Sequence, residues 1–194
     1  MAVPLEGRQR GLAMGHRVVR HARALGVPQN DLSRISAAHD AALSVRVELA
    51  DDDHDPRFLH PGRSALVLLI DTEERDPRVL AAAMGIDSEN PDWAPDVARF
   101  GDDEVRGLIA QIPLAGADDL AERLWSAEPE ACRAALAERL DHLRHAHLWP
   151  DLEERRRAHR EAVSIYAPMA ERTHPKLAHR FAWWCRMFGA RHLT

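Results

Sequence analysis

The feature that most constrains this chain is the way its prolines sit at the heads of alanine-, leucine-, arginine- and glutamate-rich stretches. Asp76-Pro77, Glu128-Pro129, Trp149-Pro150 and His174-Pro175 each precede an apolar periodic segment. Proline at a first helical position loses no hydrogen bond, because that N–H has no partner in a helix anyway. β-branched residues are scarce, and the dominant residue types all favour helix. The pattern predicts an all-α fold of about eight helices. They cover roughly 8–25, 31–49, 61–70, 77–84, 102–111, 117–125 and 129–148, with a last region, 151–191, divided at Thr173-His174-Pro175.

Within these segments the apolar spacing identifies core faces. Leu136, Leu140 and Leu143 share one stripe, as do Ala158, Ala162, Ile165 and Met169. Pro168 interrupts the second stripe and predicts a kink. Two segments read as loops: the acidic run Asp51-Asp52-Asp53-His54-Asp55-Pro56, and Ser88–Pro95. At 194 residues the chain is expected to form a single domain, an N-terminal helical arm over 1–30 followed by a core over 31–194. There is no internal repeat.

Composition excludes several classes. A net charge of −5 gives no general drive toward nucleic acid. No apolar run is long enough to cross a bilayer, and the N-terminus lacks the basic-then-apolar order of a signal peptide. Cys132 and Cys185 form no C-x-x-C pair, which together with these absences points to a reduced, cytoplasmic setting. Lys176 is the only lysine among 26 Lys and Arg residues. Arg155-Arg156-Arg157 could hold phosphates bidentately, although a solvated face beside Glu153 and Glu154 is the simpler reading. Phe181, Trp183, Trp184 and Phe188 read as core or, alternatively, as an interface for a homo-oligomer.

Four segments resemble the hydrolase domain of the RelA/SpoT family, the HD-type helical bundle that removes pyrophosphate from (p)ppGpp. His60-Pro61 matches a His-Pro pair that opens a helix. Met84-Gly85-Ile86-Asp87 matches a helix end reading Leu-Leu-His-Asp. Leu136-Ala137-Glu138-Arg139-Leu140-Asp141-His142 is similar to Leu-Ala-Asp-Arg-Leu-His-Asn. Ile165-Tyr166-Ala167-Pro168-Met169-Ala170-Glu171-Arg172 is similar to Ile-Tyr-Ala-Pro-Leu-Ala-His-Arg. The order holds from about residue 37 to 185.

The resemblance implies a divalent metal, manganese first, bound by two histidines and two aspartates. His60 and Asp87 keep their types, Glu138 replaces an aspartate, and Ile86 stands where a ligand histidine is expected. Ile86 would take an aliphatic group into the coordination shell. His142, four residues after Glu138 on the same helix face, could compensate; the two could equally form an ordinary surface pair. The acidic pair used near the attacking water falls on Asn90 and Pro91, leaving Glu89 and Asp92 as candidate catalytic carboxylates. Arg46 and Arg139 are candidate substrate-binding residues. His39-Asp40 reads as a packing histidine rather than a displaced motif. The implied function is a divergent (p)ppGpp-hydrolase-like protein with lost or altered phosphohydrolase activity, a pseudoenzyme that binds a guanine nucleotide, another phosphorylated small molecule, or a partner. The alternative is an active metal-dependent pyrophosphohydrolase with a rearranged site.

Overall fold

A computed structural model describes residues 5–46, 57–93 and 102–193, and among these every regular element is helical. In chain order they are α1 (Leu5–Ala24), α2 (Gln29–Arg46), α3 (His60–Val67), α4 (Pro77–Gly85), α5 (Asp103–Ala110), α6 (Leu120–Ser126), α7 (Pro129–His145), α8 (Leu152–Glu161), α9 (Ala167–Thr173) and α10 (Pro175–His192). Wide π turns at Leu68–Thr72 and Ala162–Tyr166 extend α3 and join α8 to α9. The acidic run 51–56 lies outside the described residues, as do Ala94 and Pro95 of the second expected loop.

Local chemistry accounts for the ends. Pro61, Pro77, Pro129 and Pro175 each occupy the first turn of a helix. Pro150 does not: Asp151 follows it and caps α8, its carboxylate accepting from Glu153 N at 2.8 Å. Gly26, at φ +86°, ends α1, and Val27 N–H reaches back to the Ala22 carbonyl at 3.1 Å. This is the left-handed closure that glycine permits without strain. The irregularity expected at Pro168 takes the form of the preceding wide turn, in which Ala167 N–H donates to the Ala162 carbonyl five residues back. Proline cannot donate to the Ser164 carbonyl and crowds it, and the widened turn carries the helix past that defect.

Helix α7 is the axis of the bundle. Ala131, Cys132 and all residues from Ala134 to Asp141 are buried. It packs against α3, α4, α9 and α10. Leu136, Leu140, Leu143, Ala158, Ala162 and Met169 are in the core, and Ile165 is half-buried against it. The first helix is not a separate arm: Val18 and Ala22 are fully buried, and α1 packs on α2 and α3. Its glycines explain the closeness, since a Cβ on Gly15 would lie 2.6 Å from Nδ1 of the buried His39. His39 is thus a packing residue. Near the C-terminus Phe181, Trp184 and Phe188 are core, while Trp183 is 51% exposed. No described helix is long and apolar enough to cross a membrane.

Candidate metal centre

Two helix ends and the C-terminal half of a third helix meet at the site. His60 opens α3, held by the short turn Arg57–Leu59 before it and Pro61 after it. Asp87 follows the C-terminus of α4, where Ile86 turns extended and carries the chain out of the helix. Glu138, Asp141 and His142 project from the C-terminal half of α7, Asp141 and His142 three and four residues after Glu138.

The side chains converge. His142 Nε2 lies 2.9 Å from Glu138 Oε1 and 3.1 Å from Asp87 Oδ1. His60 Nε2 is 3.8 Å from the same Glu138 oxygen, and the two imidazole rings are 4.3 Å apart. One donor atom from each of His60, Glu138 and His142 falls within 4.8 Å of the others. The surface-pair reading of Glu138 and His142 fails, because Glu138 is 1% exposed and the pair is aimed inward.

The surrounding bonds fix this arrangement. Glu138 accepts from Ser88 N at 2.8 Å and from Ser88 Oγ at 2.9 and 3.1 Å. Asp87 accepts from Asn90 N at 2.9 Å and from Arg46 Nη2 at 3.1 Å. His60 Nδ1 is 2.9 Å from Asp141 Oδ2, and Arg63 Nε donates to both Asp141 oxygens. Among the site's nitrogens, His60 Nε2 is buried without a hydrogen-bonding partner, as are Nε and Nη1 of Arg46, while His142 Nε2 has only its close contacts to Glu138 and Asp87. Buried polar atoms are rarely left so, and each such exception in a native protein calls for an explanation.

Charge follows from this packing. Burial pushes the Asp87 and Glu138 carboxyls up, but the close approach of His142, with His60 behind it, outweighs burial and holds both below the usual range. Burial likewise opposes ionisation of Asp141, and His60 and Arg63 hold it low. His142 is lowered by burial and raised more strongly by Glu138 and Asp87, ending pushed up to about 10.

The ligand donors fit a divalent cation. Two imidazoles and two carboxylates are the donor mix that borderline first-row metals accept. Ligand atoms about 2.0–2.2 Å from one ion stand close together, as one donor atom from each of His60, Glu138 and His142 does, with Asp87 reaching the group through His142. Beside the cluster opens a cavity of about 340 Å³, lined by His60, Asp87 and His142 together with Arg57, Arg63 and Trp149.

Other candidates fall elsewhere. Ile86 does not line this cavity; it faces an apolar pocket with Ile109, Ile112 and Leu114. The aliphatic group is therefore beside the site rather than within its shell. Arg46, 1% exposed, donates through Nη2 to Asp87 and to the Ile86 carbonyl at 3.3 Å, and it is not among the cavity's lining residues. Arg139 is fully buried between Glu89 and Glu161, its guanidinium over the Tyr166 ring at 5.3 Å. Glu89 does line the cavity, yet it is paired with both Arg139 and Arg157. Burial raises its carboxyl, and these two guanidiniums more than reverse that. Asp92 is exposed on the turn Pro91–Trp93 and is not among the cavity's lining residues.

Sequence reasoning missed Asp141 and Ser88. A signal for Asp141 existed: it lies three residues after Glu138, and Arg63 lies three after His60, so both fall on the faces already assigned to the site. Nothing in the sequence marked Ser88 beyond its place after Asp87. Arg157 turns from the expected solvated face to Glu89 at 3.0 Å and Glu161 at 3.0 Å.

No protein-family model matches the chain. A search of curated proteins likewise returns no match.

Proposed function

We propose that this chain is a divergent relative of the RelA/SpoT-type HD hydrolases that binds a divalent cation, manganese first, through His60, Asp87, Glu138 and His142. In this reading His142 supplies the imidazole that the Ile86 position has lost. The observation that carries it is the convergence of His60 Nε2, which has no hydrogen-bonding partner, and His142 Nε2 on one buried Glu138 oxygen. When bound, such an ion lowers the pKa of a coordinated water and polarises a phosphoryl oxygen.

The chain's own residues define the rest. Arg57, Arg63 and Trp149 line the cavity, Arg63 with its Nε held by Asp141. These suit a phosphorylated small molecule, with a guanine nucleotide as the leading candidate. The setting we infer is cytoplasmic, with no nucleic-acid partner. The exposed Trp183 is the surface to examine for self-association.

A second reading, a nucleotide-binding module without turnover, is favoured by Glu89. Its charge is neutralised by Arg139 and Arg157, so the nearest extra carboxylate is not free to take a proton from water. One experiment covers both. Chelator-stripped protein is titrated with Mn(II) by calorimetry, then assayed for phosphate and pyrophosphate release from (p)ppGpp and guanine nucleotides. One bound equivalent with turnover that Asp87→Ala abolishes supports the enzyme. Binding without release supports the module, and no binding overturns the metal centre.

A further inference from the structure

We propose that Asp141 is a positioning residue that makes His60 present Nε2, rather than Nδ1, to the cation; this rests on the metal centre argued above. Asp141 is fully buried, and its Oδ2 stands 2.9 Å from His60 Nδ1. A carboxylate only accepts, so Nδ1 carries the proton and donates it. That leaves Nε2 as the ring nitrogen able to give a lone pair to a cation. Nε2 is the ring atom that points toward Glu138 and has no hydrogen-bonding partner. The two ends of one imidazole are thus divided between two carboxylates on successive turns of α7.

The orienting carboxylate is itself fixed. Arg63 Nε lies 3.0 and 2.9 Å from its two oxygens, and Arg63 stands one turn after His60 on α3. His60, Asp141 and Arg63 therefore form a chain that ties the α3 N-terminus to α7 at the point where the site needs its geometry. A carboxylate behind a metal-bound histidine fixes the tautomer and ring angle and raises ligand basicity; its loss typically costs 10–100-fold in metal affinity. Adjacent residues of α7 then serve opposite ends of the site: His142 faces the cation and Asp141 stands behind the other imidazole.

The test is Mn(II) affinity of the chelator-stripped full chain, wild type against Asp141→Asn, with thermal melting of each metal-free protein alongside. The expected result is one Mn(II) per wild-type chain and binding weakened about 10- to 100-fold in the variant. Wild-type binding with affinity unchanged in a folded D141N overturns the positioning role alone. Absence of wild-type binding overturns the metal centre itself. Should D141N fail to fold, nitrogen-15 NMR of the Zn(II)-loaded wild type decides. A downfield, slowly exchanging His60 Nδ1–H is expected, and a proton on Nε2 with Nδ1 ligated overturns the inference.

Discussion

Removing Glu138 from the metal-free protein should be among the most damaging single changes in the bundle. Its two oxygens accept from Ser88 N and Ser88 Oγ and sit 2.9 Å from His142 Nε2. Glu138→Ala leaves the buried Ser88 N–H unsatisfied, a cost of about 1–3 kcal/mol. It also strips His142 of its nearer counter-charge, and breaking a buried ion pair on one side costs about 3–5 kcal/mol. Asp87, 3.1 Å from the same nitrogen, compensates in part. The two costs overlap, so a net loss of about 3–5 kcal/mol is expected, dominated by the ion pair. For a chain of this length about 1 kcal/mol moves the melting temperature by roughly 2–4 °C. The variant should therefore melt roughly 6–20 °C lower in chelator. Glu138→Gln keeps an acceptor for Ser88 and should lose less. Urea unfolding with chelator present measures both. A loss under about 1 kcal/mol for Glu138→Ala would refute the claim that this carboxylate anchors the site.

Other outcomes follow from the same geometry. His142 is pushed up to about 10, against about 6.5 in the unfolded chain. Its contribution is therefore complete below about pH 6.5 and is lost as pH rises through about 10. The lowered Asp87 and Glu138 act oppositely, contributing above their unfolded values near 4 and failing as pH falls. Urea midpoints in chelator between pH 7 and 10.5 should decline in wild type and flatten in His142→Gln; parallel curves contradict this assignment. Ile86→His should not strengthen Mn(II) binding, because position 86 faces the apolar pocket of Ile109 and Ile112. It should cost about 1–3 kcal/mol for the buried imidazole, and tighter binding in the calorimeter would show that position 86 does reach the ion. Gly15→Ala should destabilise by about 1–3 kcal/mol despite alanine's helix preference. Its Cβ would meet the buried His39 ring at 2.6 Å, and a raised melting temperature would refute that close approach.

Much of the fold was legible because it is written in short-range chemistry. Prolines at first turns and alanine-rich stripes mark helices whatever they pack against, and Leu136, Leu140 and Leu143 identified a core face from spacing alone. What spacing cannot give is the far side of a contact. Arg46 and Arg139 stand as substrate-binding candidates through the resemblance, and a sequence displays their charge but not their burial. Both are sealed inside against carboxylates from distant segments. The packing of the N-terminal helix is hidden for the same reason: the close approach of Gly15 to His39 is visible only once α1 lies on α2. At the site, His60, Asp87, Glu138 and His142 could be singled out by position. Ser88 and Asp141 act through pairings 50 and 81 residues apart in the chain.

The central claim is that these four side chains form one cation site, and diffraction addresses it most directly. Crystals soaked in Mn(II) and measured at an energy just above the manganese absorption edge should show one anomalous peak among His60 Nε2, Glu138 and His142, with Asp87 beside it. A map without a peak there, or with manganese held only at other residues, would contradict the account.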